Sequence, residues 1–306
     1  MRLTADELQA RLFAHRAPDT PDGVDWEQER DAMERGLSRA KVYPGSAIDE
    51  VAIADGVPGS IVRAPEVATN RMVLLLHGGG FCMGSRHTHR ALASWLSARS
   101  HAAVLVPDYH LAPEHPYPAG LDDAHAGWDW AVKEAGVGAE EVAIVGDSGG
   151  GGLAAALTLR LLEAGIRPAC TVLFSPWVDL TMRSAEYQEN ADRDPVVRLR
   201  FLEQARDAYL RAGASASDPL VSPVEADWRG AAPVLIQAST DEVLAGDARL
   251  LADVLRAAGV DCTLDMRAAM AHVWQLYCGL IDEAEQSVAD AGAFLRTHFD
   301  SVRDAP

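Results

Sequence analysis

Ser148 lies between glycines in Gly146-Asp147-Ser148-Gly149-Gly150, after the apolar run Val142 to Val145 and before an Ala/Leu-rich stretch from Leu153 to Leu162. A Gly-x-Ser-x-Gly pattern bracketed by strand and helix is what a nucleophile elbow requires. Small neighbours let strand and helix approach, and the hydroxyl is held in a strained turn. The helix N-terminus adds partial positive charge where negative charge develops. A phosphate-binding glycine loop competes as a reading, but there is no following Lys-Ser/Thr and no G-x-G-x-x-G spacing. A second glycine turn, His77-Gly78-Gly79-Gly80-Phe81, follows the run Met72 to Leu76. Consecutive glycines let amide N–H groups converge on one point, as an oxyanion hole needs, and the N–H of Gly149 completes that set.

A serine nucleophile needs a base and an acid, which follow an elbow serine in the order acid, then histidine. Only His272 and His298 come after Ser148. His298 belongs to a C-terminal helical pattern, whereas His272 follows the strand-like Cys262 to Met266 and a short loop, so His272 is the expected base. The acid is expected just after a core strand. Asp241 follows Val234 to Thr240 and is the choice, with Glu242 and Asp247 as nearby alternatives and a helix-capping role as the competing reading of Asp241. Asp147 could be a nucleophile in a related chemistry, but position 148 holds the apex of the elbow. His87 and His89 have no acidic or cysteine partner at ligand spacing and read as surface or supporting residues rather than a metal site.

The elements that must carry these residues alternate. Apolar runs at Met72 to Leu76, Ala103 to Val106, Val142 to Val145, Thr171 to Phe174 and Val234 to Gln237 are separated by helix-like segments near 88–100, 121–135, 152–164 and 245–258. Continuous apolar runs are buried on both faces, which predicts an α/β fold with a mostly parallel central sheet and helices on each side. Val51 to Ile53 and Ser60 to Val62 flank the turn-rich Asp55-Gly56-Val57-Pro58-Gly59 and predict an antiparallel hairpin at the sheet edge. Residues 1–45 read as one or two helices, and residues 181–218 interrupt the alternation. The predicted division is an N-terminal cap segment over 1–45, a core over 46–180 and 219–306, and a cap insertion over 181–218.

The 306 residues suit one such domain, and the formal charge of −18 repels nucleic acid and anionic membranes. No apolar run reaches the ~18 residues of a membrane span. Residues 1–16 lack a secretory core, so a cytoplasmic location is expected. Cys82, Cys170, Cys262 and Cys278 are widely spaced and read as reduced, mostly core thiols. Trp128 and Trp130 read as core; the loops around Trp177, Tyr187 and Trp274 are expected to shape substrate pockets.

Together these residues resemble the hormone-sensitive-lipase-like, or GDXG, family of esterases over roughly residues 45–300. His77 to Gly80 and Gly146 to Gly150 match its two signatures, and the long segment Asp108-Tyr109-His110-Leu111-Ala112-Pro113-Glu114-His115-Pro116-Tyr117-Pro118-Ala119 matches the block between them. Ser222-Pro223, Asp241-Glu242-Val243-Leu244 and His272-Val273-Trp274 resemble later blocks. Gly149, His110 and Trp274 stand where Ala, Arg and Phe are common in the family. The resemblance implies an α/β-hydrolase fold with a helical cap, Asp241 and His272 as acid and base, and Gly79 and Gly80 as the amide donors. It implies a carboxylic ester hydrolase that needs no cofactor or metal and takes small-molecule esters of short to medium acyl chains, as a monomer or homodimer. A lactone or amide hydrolase, or a non-catalytic small-molecule binder on the same scaffold, are the alternatives.

Overall fold

The computed structural model describes residues 2–16, 23–54 and 56–301; Asp55 of the expected hairpin turn, and Met1 and residues 17–22 of the expected cap segment, lie outside these. Eight strands form one sheet: β1 (Ala47–Ala54), β2 (Val57–Arg63), β3 (Ala68–Leu76), β4 (Ala102–Pro107), β5 (Val142–Asp147), β6 (Thr171–Phe174), β7 (Val234–Ser239) and β8 (Cys262–Arg267). Their order is β1-β2-β4-β3-β5-β6-β7-β8. β1 and β2 run antiparallel at one edge, as the hairpin pattern predicts, β2 pairs antiparallel with β4, and every later pairing is parallel. This is the α/β-hydrolase arrangement.

Nine helices are described: α1 (Ala5–His15), α2 (Trp26–Leu37), α3 (Arg90–Ser100), α4 (Ala119–Asp129), α5 (Ser148–Glu163), the single turn α6 (Glu186–Glu189), α7 (Leu199–Tyr209), α8 (Ala245–Ala257) and α9 (Asp282–Ser301). Alternate side chains of β3 divide the core. Leu74 and Leu76 join Leu121 and Trp128 of α4, Leu153 and Leu157 of α5 and Leu251 of α8 on one face. Val73 and Leu75 join Leu92 and Leu96 of α3 and Val288 and Leu295 of α9 on the other. Each such side chain, wholly buried, contributes about 1.5–3 kcal/mol, so both faces of the sheet must be covered.

Two helices depart from the sequence pattern. α4 starts at Ala119 and passes into a π turn over Trp130–Glu134. α5 starts at Ser148 itself, not near 152, and includes four successive glycines. Glycine's poor helix propensity is overridden there by tertiary packing, because this first turn is pressed against the turn after β3. The sheet order reverses between β3 and β5: the chain works outward from β3 to β4, then returns past β3 to β5. At such a switch point the loops leaving the strand C-termini part and open a crevice. The glycine turn leaves β3 and Ser148 leaves β5 at this place.

No helix among the described residues is long and apolar enough to cross a membrane.

Candidate active site

Ser148 follows β5 directly with φ +52°, a left-handed conformation that costs a side-chain-bearing residue about 1–3 kcal/mol and persists where surroundings enforce it. The enforcement comes from both sides: β5 is locked between β3 and β6, and the Trp177 N–H donates to the Ser148 carbonyl at 2.9 Å. The hydroxyl is thereby presented to His272, whose Nε2 is 2.9 Å from Ser148 Oγ.

His272 sits in the loop after β8, and that loop is pinned at three points. The Val273 N–H donates to Ser175 Oγ at 3.2 Å, Ser239 Oγ donates to the Met270 carbonyl at 2.7 Å, and the Ala269 N–H donates to Asp241 Oδ2 at 2.7 Å. His272 Nδ1 donates to Glu242 Oε2 at 2.6 Å, and the other carboxylate oxygen accepts the Ser239 N–H at 2.9 Å. Glu242 and His272 are both buried. Burial alone would lower the His272 pKa. The Glu242 hydrogen bond and charge, with more distant Asp194 and Asp147, outweigh it and raise it above 6.5.

The carboxylate against His272 is therefore Glu242, not Asp241, and the expected assignment of Asp241 is corrected. The turn leaving β7 sends successive side chains in different directions. Position 241 points along the β8 loop to Ala269, and position 242 points inward to the imidazole. Asp241 braces the loop that carries the histidine. Asp247, the other alternative, is buried elsewhere, accepting the Val178 and Asp179 N–H groups at 3.0 Å each. His298 lies on α9 with its ring against Phe294, and it does not line the cavity that holds Ser148 and His272.

The second glycine turn faces the elbow. Gly79 has φ +124°, open to glycine alone, and any Cβ there would strike the Met83 carbonyl. A Cβ on Gly149 would lie 3.0 Å from the N and Cα of Gly80 and from the Phe81 N, so the two glycine segments touch at the serine. Gly79, Gly80 and Ser148 all line one cavity of about 250 Å³. Its walls come from α2 (Met33, Leu37), the approach to and start of α7 (Val196, Val197, Phe201, Leu202) and the histidine loop (Val273, Leu276, Tyr277). Glu29 and Arg198, paired at 3.0 Å, join α2 to α7 at its rim, and Trp26 packs edge-on against Phe201.

α2 and α7 thus face one another over Ser148. α1 goes elsewhere: Leu3, Ala5 and Leu8 pack with Ile281 and the α9 side of the core, and the Leu3 N–H donates to the Leu280 carbonyl at 2.9 Å. Trp177, Tyr187 and Trp274 are buried in the core rather than lining the cavity, whose aromatic lining is Phe201 and Tyr277. Trp128 is core, as its helix position suggests. His87 is exposed, while His89 is buried against Asp147.

Residues 73–276 match the model of a family described as alpha/beta hydrolase fold. An acetyl-hydrolase of Streptomyces hygroscopicus is 38% identical over 234 residues, covering 76% of this chain and 78% of that protein. An esterase of Acinetobacter venetianus is 34% identical over 240 residues, 78% of each. Among solved structures, EstE5 soaked with p-nitrophenyl butyrate superposes with a TM-score of 0.90 at 34% identity, over 97% of this chain and 98% of that one. An esterase from the bacterial hormone-sensitive lipase family gives 0.90 at 32% identity, over 98% and 100%.

Proposed function

The chain belongs to the α/β-hydrolase fold family, among the bacterial hormone-sensitive-lipase-like carboxylesterases, and from that premise we propose that it hydrolyses carboxylic esters with Ser148 as nucleophile, His272 as base and Glu242 as acid. The observation that carries this reading is the continuous line from Ser148 Oγ through the imidazole to Glu242, with contacts of 2.9 and 2.6 Å. His272 Nε2 takes the serine proton as Oγ attacks the ester carbonyl, and the imidazolium so formed is stabilised by Glu242. The N–H groups of Gly79, Gly80 and Gly149 receive the oxyanion. The imidazolium then protonates the leaving alcohol, and water, activated by the same imidazole, releases the acid from the acyl-serine.

The cavity supports small substrates. Its volume of about 250 Å³ lies below the ~300–1,000 Å³ of pockets for drug-sized ligands, and its walls are mainly aliphatic. Esters of short to medium acyl chains fit it. Ser148→Ala is expected to abolish hydrolysis of p-nitrophenyl butyrate, and wild-type turnover by that variant would remove Ser148 from the mechanism. A series of initial rates from acetate to dodecanoate esters tests the size limit, with rates falling beyond medium chains.

A further inference from the structure

Asn190 and Asp194 lie between α6 and α7, and ester hydrolysis as derived above makes no use of them. Both side chains are buried, Asn190 at 3% exposure and Asp194 at 0%. Polar groups so buried need partners, and theirs lie on the turn that carries Glu242. Asn190 Nδ2 donates to the Thr240 carbonyl at 3.0 Å and to the Glu242 carbonyl at 2.9 Å. Arg193 donates to Asn190 Oδ1 at 3.3 Å, which leaves the NH2 face of the amide for the two carbonyls. Asp194 Oδ2 accepts the Val243 N–H at 3.0 Å. Backbone groups on both sides of the Glu242 side chain are thus bound by one short stretch of chain. The Thr240 N–H reaches the Arg267 carbonyl at 2.9 Å, so the turn is held between β8 and the α6–α7 segment.

The same Asp194 carboxylate also turns the other way. Its Oδ1 accepts the Val196 N–H at 2.8 Å and the Val197 N–H at 2.9 Å, and both valines line the cavity at Ser148. The stretch is itself anchored. The Tyr187 hydroxyl donates to the Asp179 carbonyl at 3.2 Å, Arg249 of α8 pairs with Glu186 at 2.6 Å, and the Asn190 N–H donates to the Glu186 carbonyl at 3.0 Å. We infer that Asn190 and Asp194 are positioning residues for hydrolysis: they set the reach of Glu242 to His272, and Asp194 couples that reach to the wall made by Val196 and Val197. Glu242 Oε2 stands 2.6 Å from His272 Nδ1, a short charge-assisted contact that weakens with displacement. Reacting groups must be held within roughly 0.5 Å by supporting hydrogen bonds, and Glu242 leaves a turn rather than a strand. Its backbone therefore needs the grip that Asn190 and Asp194 supply.

This role rests on Glu242 being the acid to His272, so one arm of its test is read without turnover. The His272 Nδ1 proton, in so short a hydrogen bond, gives a downfield proton resonance in the resting protein, assigned by its loss in His272→Ala. Asn190→Leu removes both donors without adding charge and is expected to move that resonance upfield; an unmoved resonance overturns the inference whatever the enzyme hydrolyses. The second arm is kinetics on p-nitrophenyl butyrate. Leaving a buried group without its hydrogen bonds costs about 5- to 150-fold, so Asn190→Leu is expected to lower kcat about 10- to 100-fold. KM is expected to stay within about twofold, because Glu242 acts most on the imidazolium of the transition state. In the Glu242→Gln background the same substitution is expected to cost under about threefold, since the carboxylate it positions is gone. Equal losses in both backgrounds, or none in the wild-type background, overturn the positioning role. Asp194→Asn has one oxygen for two sets of donors, so it is expected to lower kcat about tenfold or to change the ratio of butyrate to octanoate rates about fivefold. Neither change overturns the coupling. If a thermal melt shows Asn190→Leu unfolded, Asp194→Asn and its resonance decide. Absence of hydrolysis by the wild type would sink the esterase reading and leave the resonance to judge the positioning.

Discussion

Replacing Glu242 by Gln removes one charge and leaves shape almost unchanged, so it isolates what the carboxylate does for His272. Its two oxygens are both committed, Oε2 to the His272 Nδ1–H at 2.6 Å and Oε1 to the Ser239 N–H at 2.9 Å. Glutamine has one oxygen and cannot serve both donors. If the oxygen stays with Ser239, the amide NH2 faces Nδ1, the imidazole moves its hydrogen to Nε2, and Ser148 loses its base. If the oxygen stays with His272, two donors oppose one another at Ser239 in a buried site, costing about 1–3 kcal/mol. In either arrangement the imidazolium of the transition state lacks its counter-charge. Breaking a buried pair by removing one partner costs about 3–5 kcal/mol, which is about 150- to 5,000-fold in rate.

Initial rates on p-nitrophenyl butyrate, with a thermal melt to show that each variant is folded, provide the assay. Glu242→Gln is expected to fall by that factor in kcat/KM. Asp241→Asn retains an oxygen for the Ala269 N–H and sits about a quarter exposed, so it is expected to stay within about threefold, a loss of under ~1 kcal/mol. The reverse pattern, with Asp241→Asn crippled and Glu242→Gln near wild type, would refute the argument from geometry.

Three further outcomes follow from the same geometry. His272 is competent only when neutral, and its raised pKa means the neutral form is lost on the acid side at a pH above 6.5; the acid limb of kcat/KM should lie there and move lower in Glu242→Gln, and a wild-type limb below 6.5 would contradict it. Gly79→Ala puts a methyl group into the Met83 carbonyl and must displace the turn; kcat is expected to drop about 100- to 1,000-fold while the melting temperature of the sheet core changes little, and unchanged kcat would remove Gly79 from the donor set. Burial, then the charge of Asp179, push Asp247 from 3.8 up to about 8. Between those values the folded state holds a proton that the unfolded chain releases, so stability falls as pH rises through the window, and Asp247→Asn is expected to flatten the decline in melting temperature between about pH 5 and 8.

Most of the scaffold was legible in the sequence because its causes are local. A parallel strand buried on both faces must be apolar throughout, so Met72 to Leu76 and Val142 to Val145 declare themselves as runs. The two glycine turns were legible for a related reason. A backbone at φ +124° with a carbonyl where a Cβ would be tolerates one residue type, and that constraint is written at the position itself. His272 could be found because so few histidines follow Ser148. The start of α5 at Ser148 was not legible, since four glycines argue against helix and only the packing of that turn against the β3 end makes them helical.

The acid was illegible for a different physical reason. Asp241 and Glu242 are adjacent, share a charge and follow the same strand, so no period or propensity separates them. What separates them is the direction of two Cα–Cβ vectors at a turn whose shape is set by groups remote in sequence: the Ala269 N–H draws 241 outward, and the Ser239 N–H with His272 Nδ1 draws 242 inward. A glutamate spans the extra methylene that the inward path needs, while the shorter aspartate suits the nearer amide at 2.7 Å. Side-chain length is thus the one signal in the sequence that could have chosen between them, and it acquires meaning only once the distance from the end of β7 to the imidazole is known. The cavity wall has the same character. Met33 of α2 and Phe201 of α7 line it from segments well over a hundred residues apart, and nothing in either helix's own pattern marks which of its apolar residues will face Ser148.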